Sequence, residues 1–305
     1  MAETMRDAFW NKVYEEMKQD SSIWVLTADF GAPMLDRIRS DFPDRFLSVG
    51  ISEQNLINVA AGLALEGRRV FAYAIAPFFV RAAEQIRINL CMTSAFRKMN
   101  VTLIGVGIGF SYVVSGPSHH ALEDAAVLGA FPGMNVITPS DAASASGAFE
   151  LTKHNGVRYL RFDSLAQETL YDKSTFVYPE NGCCVLQDIP GADFAIAACG
   201  SMTHTALELG KIYPGLKVVD VFQVTKGLPS VFRGIRKIFT LEEAVTGCGA
   251  LDSKIQFLCP EKTVIASGVK DFYDFVSRNR ASLRSRYGLS MESLTEKIRR
   301  EIGEI

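Results

Sequence analysis

The sequence predicts an α/β protein of two domains, each built on a parallel-type sheet with helices on both faces. Three observations predict it. At 305 residues the chain exceeds one typical domain, so two are expected. Short β-rich apolar runs alternate with helical patterns, the mark of a parallel sheet covered on both faces. The alternation dissolves once and then resumes, dividing the chain into residues 1–165, a linker over 166–190 and a second domain over 191–305.

In the first domain, Ile23–Ala28, Val70–Ile75, Val101–Gly105, Asn135–Ile137 and Tyr159–Phe162 read as strands. Residues 4–19, 53–66, 78–95 and 141–153 read as the helices between them. The linker reads SLAQETLYDKSTFVYPENGCCVLQDIPGA with its flanks, polar and proline-containing, with one strand-like stretch. The second domain offers Phe194–Ala198, a helix near 203–213, then Lys217–Phe222, Lys237–Leu241 and Thr263–Ala266 as strands. From Asp271 onward the chain reads as helical, its dense Arg and Glu forming a solvated face.

Composition excludes several function classes. Hydrophobic residues make up 48 % and charged residues 22 %, and the net charge is −2. This is a globular balance with no basic surplus for nucleic acid or an anionic membrane. The longest apolar run, near Val70–Val80, is about half the roughly 20 residues of a membrane helix, and the N-terminus MAETMRDAFW lacks a signal-peptide core. A cytoplasmic protein is expected. The six cysteines form no CxxC pair, and Cys91 and Cys199 sit in apolar runs. No metal site built by this chain alone is expected.

Four stretches carry candidate chemistry. In SVGISEQNLINVAAGLALEG, Glu53 opens a buried helical pattern. An acid in the first turn after Ser52 at the N-cap suits the helix dipole, and it equally suits a ligand needing a carboxylate. In IAPFFVRAAEQIR, Phe78, Arg81 and Glu84 recur every three residues at a strand-to-helix junction, the carboxyl edge where such sheets bind ligands. A core aromatic and a surface ion pair remain the plain alternative there. In GVGIGFSYVVSGPSHHALED a strand ends in a glycine-rich loop that delivers His119 and His120, and imidazoles suit proton transfer near neutral pH. Asp29, in LTADFG, ends the first strand. Asp29, Glu53 and His119 are thereby expected on one rim. No P-loop, GxGxxG, nucleophile elbow or HExxH is present.

The order TADFG, VGISEQN…AAGLALEG, APFFVRAAEQI and GPSHH…EDAAVLGAFPGMNVITPSD resembles the pyrimidine-binding half of the transketolase family. DFAIAACGSMTHTAL, KVVDVFQVTKGLP and IFTLEEAVTGCG resemble its C-terminal domain. Beta subunits of 2-oxoacid dehydrogenases share the module. The resemblance implies thiamine diphosphate as cofactor. Glu53 matches the glutamate that hydrogen-bonds a ring nitrogen of the aminopyrimidine and favours its imino tautomer. Phe78 matches the aromatic stacked on that ring, with Arg81 just beyond it, and Asp29 matches an aspartate near the cofactor interface. His119 matches the histidine that contacts substrate hydroxyls and moves protons, and His120 is its neighbour.

The resemblance also implies a partner. In the family a GDG…N segment of another domain holds the diphosphate and Mg²⁺, and no GDG occurs here. The chain resembles the C-terminal subunit of a split transketolase, expected to form an α2β2 heterotetramer with a subunit carrying that segment. A 2-oxoacid dehydrogenase subunit and a non-catalytic assembly subunit are the competing readings. Three positions depart from the family: Ser115 replaces an aspartate, Gly107 a basic residue and Ser164 the second arginine of LRxxR. Arg161, or Arg158, is left to meet a substrate phosphate. The expectation is a sugar acceptor that is unphosphorylated, larger, or nucleotide-linked.

Overall fold

The computed structural model describes residues 3–29, 31–270 and 272–303. It divides into two compact units: Met1–Ile108 with Val127–Tyr178, and Gly109–Ala126 with Pro179–Ile305.

Among its described residues the first unit holds six strands: β1 (Ile23–Thr27), β2 (Phe46–Ser48), β3 (Arg69–Ile75), β4 (Asn100–Val106), β5 (Met134–Ile137) and β6 (Gly156–Phe162). Their order is β2-β1-β3-β4-β6-β5, and every pairing is parallel. In β3, alternation sends Val70, Ala72 and Ala74 to one face with Leu56, Ile57 and Phe79. Phe71 and Tyr73 go to the other face, where rings of Phe9, Trp10 and Phe149 meet them edge-on or stacked. A central strand buried on both faces reads as continuous apolar sequence, which is why VFAYAI is legible.

The helix Glu53–Leu65 covers the first face through Leu56, Ile57, Ala60, Ala61 and Ala64. The helix Met5–Met17 covers the second, started by the Thr4 side chain accepting from the Asp7 N–H. The expected helix over 78–95 is not a uniform α-helix. It runs as a 3₁₀ segment Ala76–Ala82, an α turn Ala83–Gln85 and a π turn Ile86–Met92. The buried residues follow suit: Ala76, Phe79 and Ala82 recur every three, then Ile86 and Leu90 every four. The tighter winding puts Ala76, Phe79 and Ala82 on one buried face.

The second unit holds β7 (Cys183–Gln187), β8 (Phe194–Ala198), β9 (Lys217–Val221), β10 (Lys237–Val245) and β11 (Thr263–Val269), in the order β11-β10-β8-β9-β7. Of these five strands only β7 runs antiparallel, pairing β9 at the edge, so five residues of the polar stretch read as linker belong to a sheet. Ile196 and Ala198 enter one apolar cluster, while Ala195 and Ala197 enter the other. Of the tail read as helical, Asp271 lies outside the described residues and 272–279 are not helical. Helices follow at Arg280–Arg286 and Met291–Ile302, each begun by a side-chain cap, Asn279 and Ser290. Among the described residues no helix is long and apolar enough to cross a membrane.

Candidate functional site

The sheet order fixes where a ligand can enter the first unit. The chain leaves β1 for β2 on one side, then crosses back to β3 on the other side of β1. That reversal opens a crevice outside the carboxyl ends of β1 and β3, the binding place of doubly wound sheets. Asp29 stands two residues past β1, Glu53 begins the helix after β2, and Phe78 and Arg81 follow β3 directly. Three connections thus bring four sequence-predicted residues to one edge.

Glu53 is buried, 2 % exposed, at the positive end of its helix. Ser52 occupies the N-cap position but makes no side-chain cap hydrogen bond. The Ser52 side chain therefore does not cap this helix. Arg81 Nη1 donates to Glu53 Oε2 at 3.3 Å. The same guanidinium lies 5.8 Å from the Phe78 ring centroid. Residues three apart eclipse one another in a 3₁₀ segment, so the winding at Ala76–Ala82 puts Phe78 and Arg81 on one face. Phe79 points the other way, fully buried, its ring edge-on to Tyr159 at 5.7 Å. Asp29 is exposed with a φ of 54°. An aspartate tolerates that left-handed backbone better than most side chains, and such strain collects at functional edges.

Arg161 points inward. It is 2 % exposed and donates to Thr138 Oγ1 at 3.1 Å. Arg158 stands near the amino end of β6, where it binds Asn100 Oδ1 and the carbonyls of His154, Asn155 and Gly156. That end of the sheet is opposite the crevice, so Arg158 cannot replace a phosphate-binding arginine there. Gly107 follows β4 with a φ of 92°, a conformation suited to glycine, and its N–H donates to the Phe162 carbonyl at 2.8 Å. Ser164 is half-buried.

The histidine loop packs within the second unit. Two 3₁₀ turns, Val113–Ser115 and Pro117–His119, shape it around Gly116, whose φ is 79°. Ser115 is exposed and His119 is half-buried, with Ser118 Oγ 3.1 Å from its Nδ1. His120 is buried against the Phe110 ring, edge-to-face at 5.5 Å. Burial pushes the His120 ring below the ordinary histidine value, against the opposing hydrogen bond that the ring donates to the Val113 carbonyl and the charge of Glu243. The two neighbouring histidines thus differ: His119 is half-buried at the loop surface, and His120 is buried.

Sequence reasoning missed Glu243, which accepts from the Phe110 N–H at 3.0 Å and from Arg280 and Arg284. Its signal is the acid pair inside the apolar strand KIFTLEEAV. Alternation sends the two carboxylates to opposite faces. Glu242 accepts from the Leu251 N–H at 2.9 Å and so caps the next helix. Glu243 turns to the loop.

Among the described residues no group of three His, Cys, Asp or Glu could hold a metal ion. What the first unit offers is a sheltered carboxylate beside a half-buried aromatic face, a donor set for a flat nitrogenous ring. Residues 2–163 match the family model described as the transketolase pyrimidine binding domain. The chain belongs to the transketolase family. One of the subunits of the apulose-4-phosphate transketolase of Phocaeicola vulgatus is 30 % identical, over 95 % of this chain and 94 % of that one. A 6-deoxy-6-sulfo-D-fructose transketolase subunit of a Clostridium species is 29 % identical over 72 % of this chain and 68 % of its own. A solved split gene transketolase, an inactive beta4 tetramer, superposes with a TM-score of 0.84 at 28 % identity, covering 98 % of each chain. This transketolase-family chain is therefore similar over its length to separately encoded subunits, and the expected fold of both halves is the one observed.

Proposed function

We propose that this chain is the pyrimidine-binding subunit of a thiamine diphosphate-dependent split transketolase, moving a two-carbon ketol unit to a sugar acceptor. The observation that supports it best is the buried Glu53 carboxylate beside the half-buried Phe78 at the switch-point crevice. When bound, thiamine diphosphate supplies a thiazolium carbon able to become a nucleophile. The chain's own residues prepare that chemistry. Glu53 holds a hydrogen bond to a ring nitrogen where water cannot compete for it. Phe78 offers a flat apolar face, and Arg81, which meets both residues here, gives way to the ring. Asp29 presents a carboxylate at the rim toward the partner, and His119 exchanges protons with substrate oxygens.

The other half of the site, with the diphosphate and Mg²⁺, falls to a partner subunit in an α2β2 assembly. The named relatives are transketolase subunits, so neither the dehydrogenase reading nor the non-catalytic one gains support. Those relatives are named for two different sugars, so membership alone does not fix the acceptor. The exposed Ser115, the side-chain-free Gly107 and the inward-facing Arg161 favour a larger or nucleotide-linked keto sugar over a short phosphorylated aldose.

Calorimetry tests the division of labour. The isolated chain should bind thiamine diphosphate and Mg²⁺ weakly, and the chain with its partner should bind them tightly and transfer a ketol unit from xylulose 5-phosphate. Tight stoichiometric binding by the chain alone would overturn this reading.

A further inference from the structure

The second sheet has its own reversal: the chain passes from β8 to β9 on one side and returns to β10 on the other. The crevice outside the carboxyl ends of β8 and β10 is the default ligand place of that sheet. Here the chain fills it with itself. Glu243 lies two residues past the last pairing of β10 with β8, Leu241 with Ala198. Arg280 and Arg284 reach Glu243 from their helix at 2.7 Å and 2.6 Å, and both also donate to Ser201 Oγ, at 2.8 Å and 3.0 Å, just beyond β8.

We infer that Glu243 is a positioning residue whose task is to hold the loop of His119 and His120 against the C-terminal sheet. Four observations carry this. Glu243 Oε2 accepts the Phe110 N–H, the first hydrogen bond to a side chain after the loop leaves Gly109. Gly109 has a φ of 57°, and a Cβ there would stand 2.3 Å from Glu243 Oε2 and 2.6 Å from Glu243 Cβ, so the loop passes closer than any side chain allows. The Phe110 ring is fully buried and stacks on Tyr287 at 5.4 Å, while His120 meets its edge. Further along, the Val245 N–H donates to the Leu122 carbonyl at 3.0 Å, fixing the far end of the loop to the same strand. One strand, β10, thus holds both ends of the segment that carries the histidines. A bidentate, doubly paired carboxylate makes a stiff mount, which suits a proton-transferring group that tolerates little misplacement.

The role rests on the transketolase reading; the anchoring does not, and the experiment separates them. Glu243→Gln and Gly109→Ala are made separately and together in the full chain. Diethyl pyrocarbonate modification, mapped by mass spectrometry, reads the exposure of His120 without any activity assay. The assembled complex gives kcat, KM and cofactor affinity. Expected are His120 shielded in the wild type and reactive in both variants, and kcat lowered about tenfold or more at a cofactor Kd changed less than about twofold. The double variant should be no worse than the worse single one. Unchanged His120 shielding in both variants would overturn the anchor. A loss of kcat matched by an equal loss of cofactor affinity would overturn the positioning role, showing a general folding defect instead. If the wild-type complex transfers no ketol unit, the transketolase reading fails while the His120 measurement still decides the anchor.

Discussion

Arg81 and Glu53 form an ion pair whose two ends meet different surroundings: the guanidinium is 56 % exposed and the carboxylate 2 %, at 3.3 Å. The carboxylate also sits in the first turn of its helix, whose positive end meets its charge, and the partner's solvent exposure screens the attraction. The arrangement leaves the cation free to swing away at little cost. It is what a site needs if a flat ring is to take the guanidinium's place between the carboxylate and the Phe78 face.

Arg81→Ala should therefore cost only about 1 kcal/mol of unfolding free energy, well below the roughly 3–5 kcal/mol of breaking a fully buried pair. Urea unfolding of the chain measures it. A loss in the upper range would show that Arg81 is a structural member and not a movable cover.

Phe78 and Phe79, adjacent in sequence, should separate stability from binding. Phe79 is fully buried, and Phe79→Ala should destabilise by about 3–5 kcal/mol. Phe78→Ala should leave the melting temperature nearly unchanged while weakening thiamine diphosphate binding by the assembled complex. Melting curves and calorimetry on the two variants give the answer, and equal destabilisation by both would contradict the assignment.

Acid sensitivity should trace to Glu243. Burial works against its charge, but Arg280, Arg284 and the Phe110 N–H hold its carboxyl down at about 2, from an ordinary 4.5. The unfolded chain then binds the proton more readily, so stability rises with pH across this window. That contribution, on the order of 3 kcal/mol, is complete above about pH 4.5 and is lost as pH falls toward about 2. Glu243→Gln should be less stable than the wild type at neutral pH, and the gap should narrow through that window in pH-dependent unfolding.

Much of this was legible in the sequence because parallel strands buried on both faces are unbroken apolar runs. VFAYAI and VTLIG fall where strands fall, and the helix from Glu53 shows its spacing plainly. The edges were less legible. β2 is three residues long and mostly exposed, and β7 shows only as one strand-like stretch within the polar linker. The winding after β3 was half legible: Ala76, Phe79 and Ala82 do recur every three, but two turns are too few to separate periods of 3.0 and 3.6. Pairing across distant elements leaves no trace in a local pattern, so Arg161, expected to meet substrate, is found turned into the interior. For the same reason nothing near Glu243 announces two arginines roughly 40 residues onward.

The proposed preference for a larger acceptor is tested by substrate choice. With the assembled complex, erythrose 4-phosphate and ribose 5-phosphate should be poor acceptors, because each lost charged hydrogen bond weakens phosphate binding by about 1–3 kcal/mol. A larger or nucleotide-linked keto sugar should be better. Steady-state kinetics across such a set decides it, and ordinary efficiency with the short phosphorylated aldoses would contradict the expectation.

The central claim is that the Glu53 carboxylate activates a cofactor and does more than occupy a helix start. Ser52, with no cap hydrogen bond, and the burial of Glu53 both bear on it. The most direct measurement is the rate of proton exchange at the thiazolium carbon of thiamine diphosphate, followed by NMR in the assembled complex, wild type against Glu53→Gln. The amide keeps the size and the helix but cannot favour the required ring tautomer, so exchange and turnover should slow together by roughly 10²–10⁴-fold. An unchanged exchange rate with the cofactor fully bound would contradict the claim.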